Sequence, residues 1–235
     1  MYRVLHSEKL REKIERLHRR IQERFPESGL SKVCQELQLV AGETDEECEW
    51  ISKPQIVLRV LVTIIVVMIL VGLIEAVITY QLPEKPFNLP ELVQVFEAGL
   101  NALVLIGAAV IFLITAEVRI KRSRTIKALN DLRAIAHVID MHQLSKDPTH
   151  IVIKLDTTPS SPTEQLSPPQ LMRYLDYCSE MLSLVGKVAA LYAQNFSDNV
   201  VLSAVNEVEN LTTGLSRKIW QKIMIINLYD QKELM

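Results

Sequence analysis

A chain of 235 residues holds one medium domain or two small ones, and its 26 Lys and Arg against 28 Asp and Glu give a net charge of −2, which supplies no electrostatic footprint for a nucleic-acid partner. Hydrophobic residues make up 49% of the sequence and mean hydropathy is only +0.16, yet the apolar weight is concentrated between residues 56 and 118, which argues against an evenly built soluble core. The three cysteines, Cys34, Cys48 and Cys178, stand in no CxxC or His-spaced pattern and read as thiols of a reducing compartment, not as a disulfide frame or a zinc set.

Residues 1–25 are dense in Lys, Arg and Glu and lack an apolar h-region, so they do not read as a signal peptide. Leu10, Ile14, Leu17 and Ile21 recur at 4-3-4 spacing, which predicts an amphipathic helix ended near Pro26 and Gly29. Its mixed charges suit packing against another helix better than lying on a membrane surface. A second, short helix is expected over residues 30–40, before the acidic stretch 43–49. Together these make residues 1–52 a cytoplasmic, helical N-terminal segment.

Residues 60–74 read VLVTIIVVMILVGLI. Extended over 56–80 the stretch amounts to roughly 37 Å of helix at about 1.5 Å per residue, enough to cross a hydrocarbon core of about 30 Å with some tilt. Arg59 and Glu75 lie near its ends, where each reaches toward headgroups, and Trp50 and Tyr80 suit interfacial anchors. A second span is expected over residues 95–118, with Pro90 in or just before a first helical turn. The intervening 81–90, QLPEKPFNLP, is short and carries three prolines, so residues 53–119 are predicted to form an antiparallel transmembrane hairpin.

Lys and Arg set its orientation. The connection holds only Lys85, whereas Arg119, Lys121, Arg122, Arg124 and Lys127 follow the second span and Lys53 and Arg59 precede or open the first. Both termini are therefore expected in the cytoplasm of a plasma membrane, the inner membrane in a bacterium. Within the spans, Gly72 and Ala76, Ala98 and Ala102, and Gly107 are candidate positions for close helix packing. Glu75, Glu97 and Asn101 fall near the outer ends and form a candidate intramembrane polar site. The plainer reading has both carboxylates in headgroup water, setting helix depth.

The second span should continue as helix through residues 120–147, ending near Leu144 ahead of Lys146-Asp-Pro. On this extension Arg133, His137, Asp140 and His142 make a polar cluster. A metal there lacks HExxH or comparable spacing, and polar contacts inside a bundle explain the residues more simply. Residues 148–169 read as a Pro/Ser/Thr linker with a short strand at 150–155. Ser167-Pro-Pro-Gln170 is a helix start, with hydroxyl at the N-cap, Pro at N1 and Gln at N3. Beyond it Leu171, Leu175, Cys178, Leu182, Val185, Ala189 and Tyr192 keep a 4-3 repeat, a coiled-coil-like seam for a bundle or an oligomer. After Ser197-Asp198 a similar stripe runs from Val201 to Ile226, so residues 170–235 are expected to form an αα-hairpin. The sequons at Asn195 and Asn210 fall in helical, cytoplasmic stretches and carry little weight.

No Walker loop, GxGxxG, nucleophile elbow or zinc-type cysteine set is present, so neither catalysis nor a cofactor is expected, and a metal-dependent membrane enzyme is the weakest alternative. The expected class is an all-α membrane protein: a two-span helical hairpin with a cytoplasmic helical bundle. In topology it looks like the small two-span effector and signalling proteins of bacteria. The expected function is that of a homo-oligomeric membrane protein whose cytoplasmic bundle assembles copies and couples a signal or partner to the membrane hairpin, as an effector or pore. The alternative is a membrane anchor or scaffold that recruits a cytosolic protein. The lipid bilayer, a second copy and such a protein are the expected partners.

Overall fold

A computed structural model describes residues 4–26, 28–79, 89–148 and 166–233, which are all-helical with no strand among them. In chain order the helices are α1 (Ser7–Arg24), α2 (Gly29–Ser52), α3 (Ile56–Thr79), α4 (Leu89–Leu144), α5 (Pro168–Asn195) and α6 (Asn199–Glu233). The expected strand at 150–155, most of the linker and most of the outer connection fall outside the described residues.

The chain divides into two compact units, Lys53–Ser123 and a discontinuous one built from Met1–Ser52 and Arg124–Met235. In the discontinuous unit the 4-3-4 stripe of α1 is wholly buried. α1 packs on α2, both pack on α5, and α5 packs along α6. The last turns of α4 add Leu129, Leu132, Ile135, Ala136 and Ile139 to the same core. Five helical segments thus share one interior, and each fully buried Leu or Ile contributes about 1.5–3 kcal/mol of transfer free energy.

Local chemistry explains the helix ends. At the start of α5 the Gln170 Oε1 accepts from the Ser167 backbone N–H at 3.0 Å and from its hydroxyl at 2.9 Å. Asp198 caps α6 by accepting from the Val200 and Val201 N–H groups at 3.1 and 3.3 Å, satisfying donors that the helix leaves orphaned. The end of α4 is capped from another helix: Lys222 of α6 donates to the Gln143 carbonyl at 2.8 Å and to that of Lys146 at 3.3 Å. A cation suits the negative end of the helix dipole.

One expectation is corrected. The helix expected over 30–40 continues through the acidic stretch as the 24-residue α2. Leu30, Cys34, Leu37, Ala41, Thr44, Cys48 and Ile51 hold a buried face along its whole length, while Glu43, Glu46 and Glu49 point outward. An amphipathic face tolerates many carboxylates provided they share the wet side.

The other unit contains α3 and α4 as far as Ser123. The apolar windows of these helices have mean hydropathies of 2.6 and 2.3, and neither buries any of its residues.

Candidate functional site

In the Lys53–Ser123 unit the polar chemistry gathers on one carboxylate. Glu117 accepts from Arg59 Nε at 2.7 Å and from the Gln55 backbone N–H at 3.2 Å, and Lys121 Nζ lies 2.9 Å from it. The Lys121 ammonium, 7% exposed as a residue, also donates to the Lys53 carbonyl at 2.7 Å. A carboxylate and two cations near apolar surface are costly unless paired and hydrogen-bonded, and here each has a partner. The sequence reading treats Arg59 and Lys121 as topology signals and gives Glu117 no part. Its position one turn before Lys121 was the available signal.

The expected polar trio lies on exposed helix surface: Glu75 in the last turns of α3, Glu97 and Asn101 in the early turns of α4. Gly72 and Gly107 face open space, for a Cβ added at either would meet nothing within 4 Å. Ala102 is exposed as well. Ala76 and Ala98 are helical, and their side chains lie outside the described set.

The seam on α5 has a different use from the one an oligomer requires. Leu171, Leu175, Cys178, Leu182, Val185, Ala189 and Tyr192 are all buried inside the helical domain, covered by segments of the same chain. Tyr192 anchors α5 to α2: its hydroxyl donates to Glu47 Oε2 at 2.8 Å and lies 3.3 Å from Thr44 Oγ1. Burial, ahead of its neighbours, pushes the phenol pKa upward, so the group stays a donor.

The Arg133, His137, Asp140 and His142 cluster is dispersed. Arg133 pairs with Glu207 of α6, Asp140 accepts from Gln143 Nε2 at 2.7 Å, and His137 is exposed. His142 packs against Gly29, where an added Cβ would come within 2.3 Å of its ring. Burial and then the Lys146 ammonium hold its pKa below the ordinary 6.5, favouring the neutral ring. Among the described residues no three His, Cys, Asp or Glu side chains converge to hold a metal.

A further site is a groove of about 590 Å³ between α1 and α5. On α1 the positions 9, 13, 16 and 20 follow one another at 4-3-4 spacing, so Lys9, Lys13, Arg16 and Arg20 form one basic stripe along the groove, with Lys187 supplied by α5. The apolar part of the lining is Val4, Leu5, Leu10 and Leu184. Arg20 Nη1 reaches both Glu180 oxygens at 3.1 and 3.0 Å, and the Arg20 Cζ sits 5.1 Å from the Tyr177 ring centroid. Glu8, Glu12 and Glu15 fall outside this lining, about 70–130° around α1 from the centre of the stripe at 100° per residue. The charges counted as mixed along the sequence are thus partly sorted around the helix, with Arg19 staying among the carboxylates through its pair with Glu15. Angular position, not composition, was the signal.

These features define an all-helical protein with two candidate transmembrane helices and a separate helical unit with its own core. No family model matches the chain, and comparisons with characterised proteins and with solved structures find no match.

Proposed function

We propose that this chain is a two-span membrane protein that holds a helical docking domain on the cytoplasmic face, as an anchor or scaffold for a cytosolic protein. The observation that carries the reading is that two apolar helix windows bury none of their residues in a chain whose other apolar stripes are buried. Val57 is 85% exposed and Leu105 71%, and apolar surface of that extent needs a non-aqueous environment. The pairing of Gln55 and Arg59 with Glu117, and of Lys53 with Lys121, supports an antiparallel hairpin, since the beginning of one span meets the end of the other. The excess of Lys and Arg at those ends supports a cytoplasmic position. Scaffolding is favoured over assembly through the α5 seam because that seam is consumed within the chain.

Introduced cysteines test the topology cleanly because the native thiols are quiet. Cys34, Cys48 and Cys178 are buried, and burial pushes each pKa up to about 12, which leaves almost no reactive thiolate. In Lys85→Cys the new thiol is expected to react with a membrane-impermeant maleimide on intact cells. In Ser203→Cys, an exposed position on α6, reaction is expected only after permeabilisation. External labelling of Ser203→Cys contradicts the orientation.

The open faces at Gly72 and Gly107 favour a second reading, in which copies associate through the spans and form an effector assembly or pore. Mass photometry of detergent-solubilised protein is expected to show a discrete oligomer under that reading, which Gly107→Leu shifts toward monomer. A strict monomer removes it.

A further inference from the structure

We infer that the groove between α1 and α5 docks an acidic peptide segment that carries apolar residues among its carboxylates. The inference rests on reading the helical unit as a docking domain, and it names the surface and the chemistry of the partner. The charge balance is the first argument. The lining holds five cationic side chains, Lys9, Lys13, Arg16, Arg20 and Lys187, against the single carboxylate of Glu180. That carboxylate is already engaged by Arg20, and among the described residues Lys9, Lys13, Arg16 and Lys187 take part in no ion pair. A groove walled by one sign of charge concentrates ligands of the other.

Shape is the second argument. The stripe from Lys9 to Arg20 extends about 16 Å along α1 at 1.5 Å per residue, a length that about five residues of extended chain match at 3.3 Å each. The accessible apolar lining is Val4, 54% exposed, with the partly buried Leu5 beside it, while Leu10 and Leu184, 3% and 5% exposed, belong to the core behind it. A flat bilayer would meet the outer side of α1 first, where Glu8, Glu12 and Glu15 outnumber Arg19 and repel anionic headgroups within a Debye length of about 8–10 Å. Single-stranded nucleic acid needs a run of stacking surfaces, and among the described residues of the lining the His6 imidazole is the one ring.

The test uses the full chain in nanodiscs of neutral phosphatidylcholine, panned against random peptides displayed on phage. Enriched peptides are then made with a fluorophore and titrated by anisotropy against the native chain, Lys13→Glu/Arg16→Glu, and Arg19→Glu as a control. Arg19 is exposed on the outer side of α1, where it pairs with Glu15. The expected result is enrichment of Asp/Glu-rich peptides containing Leu or Phe, with affinity about tenfold weaker or more in the double variant, near native in Arg19→Glu, and falling as salt rises. Three outcomes overturn the inference: no acidic enrichment, equal binding by the double variant, or equal loss in Arg19→Glu. If phosphatidylserine vesicles bind the native chain in a manner that Lys13→Glu/Arg16→Glu abolishes, while no acidic peptide is enriched, the groove is a lipid surface and the inference is again overturned. Circular dichroism of each variant in the same nanodiscs verifies the fold. Sedimentation of the same chain with membranes is scored separately: retention without peptide capture rejects the groove alone, and capture without retention rejects the membrane anchor alone.

Discussion

Joining residue 52 to residue 124 through a short Gly/Ser linker, with 53–123 removed, is expected to yield a water-soluble helical protein that unfolds cooperatively in urea. The fragment from Ser167 onward is expected to aggregate or to melt without a cooperative transition. Both outcomes follow from how the domain is assembled. Its core draws on α1, α2, the end of α4, α5 and α6, so the apolar residues of all five segments are needed together. The junction is geometrically undemanding. Arg124 bonds Glu47 at 3.2 Å and lies 4.7 Å from the Trp50 ring centroid, so position 124 already stands beside the last turns of α2. The entropy of closing a loop also grows only slowly with its length. The Ser167 fragment, by contrast, loses α1, α2 and the end of α4, whose apolar residues share one core with Leu171, Leu175, Cys178 and Leu182. At about 1.5–3 kcal/mol per uncovered apolar side chain, stripping several of them removes an amount comparable with the 5–15 kcal/mol by which a typical domain is stable. Size-exclusion chromatography and urea titration followed at 222 nm discriminate the two chains.

Leu182→Asn is expected to destabilise the helical domain by about 3–5 kcal/mol, the sum of a lost buried side chain and a buried amide with no prepared partner. The sign of the accompanying change in size is the informative part. Leu182 is fully buried within the chain, so the variant should lose helix and cooperativity. A seam between copies would instead release a folded, smaller species with unchanged helicity. Trp220→Gln provides the contrast, for Trp220 is 60% exposed on α6 and its replacement should shift stability by no more than about 0.5 kcal/mol. Denaturant titration of both variants, paired with mass photometry, measures the two effects together.

Much of the local architecture was legible in the sequence because local architecture is periodic. The 4-3-4 stripe of α1, the Ser167 to Gln170 start of α5 and the apolar composition of α3 and α4 each depend on residues within a few turns of one another. The uninterrupted course of α4 to Leu144 follows from the absence of Gly and Pro between residues 117 and 143. What escaped was non-local. Nothing along the chain says that residues 1–52 belong with 124–235, because the ties are single pairs far apart in sequence: Tyr192 with Glu47, Arg20 with Glu180, and Leu5 with Gln194, the last through a backbone N–H donating at 2.9 Å. For the same reason a heptad repeat on α5 does not say whether its partner is another copy or another part of the same chain. The acidic stretch 43–49 resembles a helix terminator by composition and is helix by angular pattern. The basic stripe of α1 was hidden in the same way, since Lys9, Lys13, Arg16 and Arg20 alternate in sequence with Glu8, Glu12 and Glu15 yet separate around the helix.

On the proposed function, α3 and the apolar part of α4 reside in lipid. Alkaline carbonate washing of membranes from cells expressing the full chain, beside cells expressing the chain that lacks 53–123, tests that claim directly. The full chain is predicted to stay in the membrane pellet and the shortened chain to appear in the supernatant. Release of the full chain into the soluble fraction would contradict it.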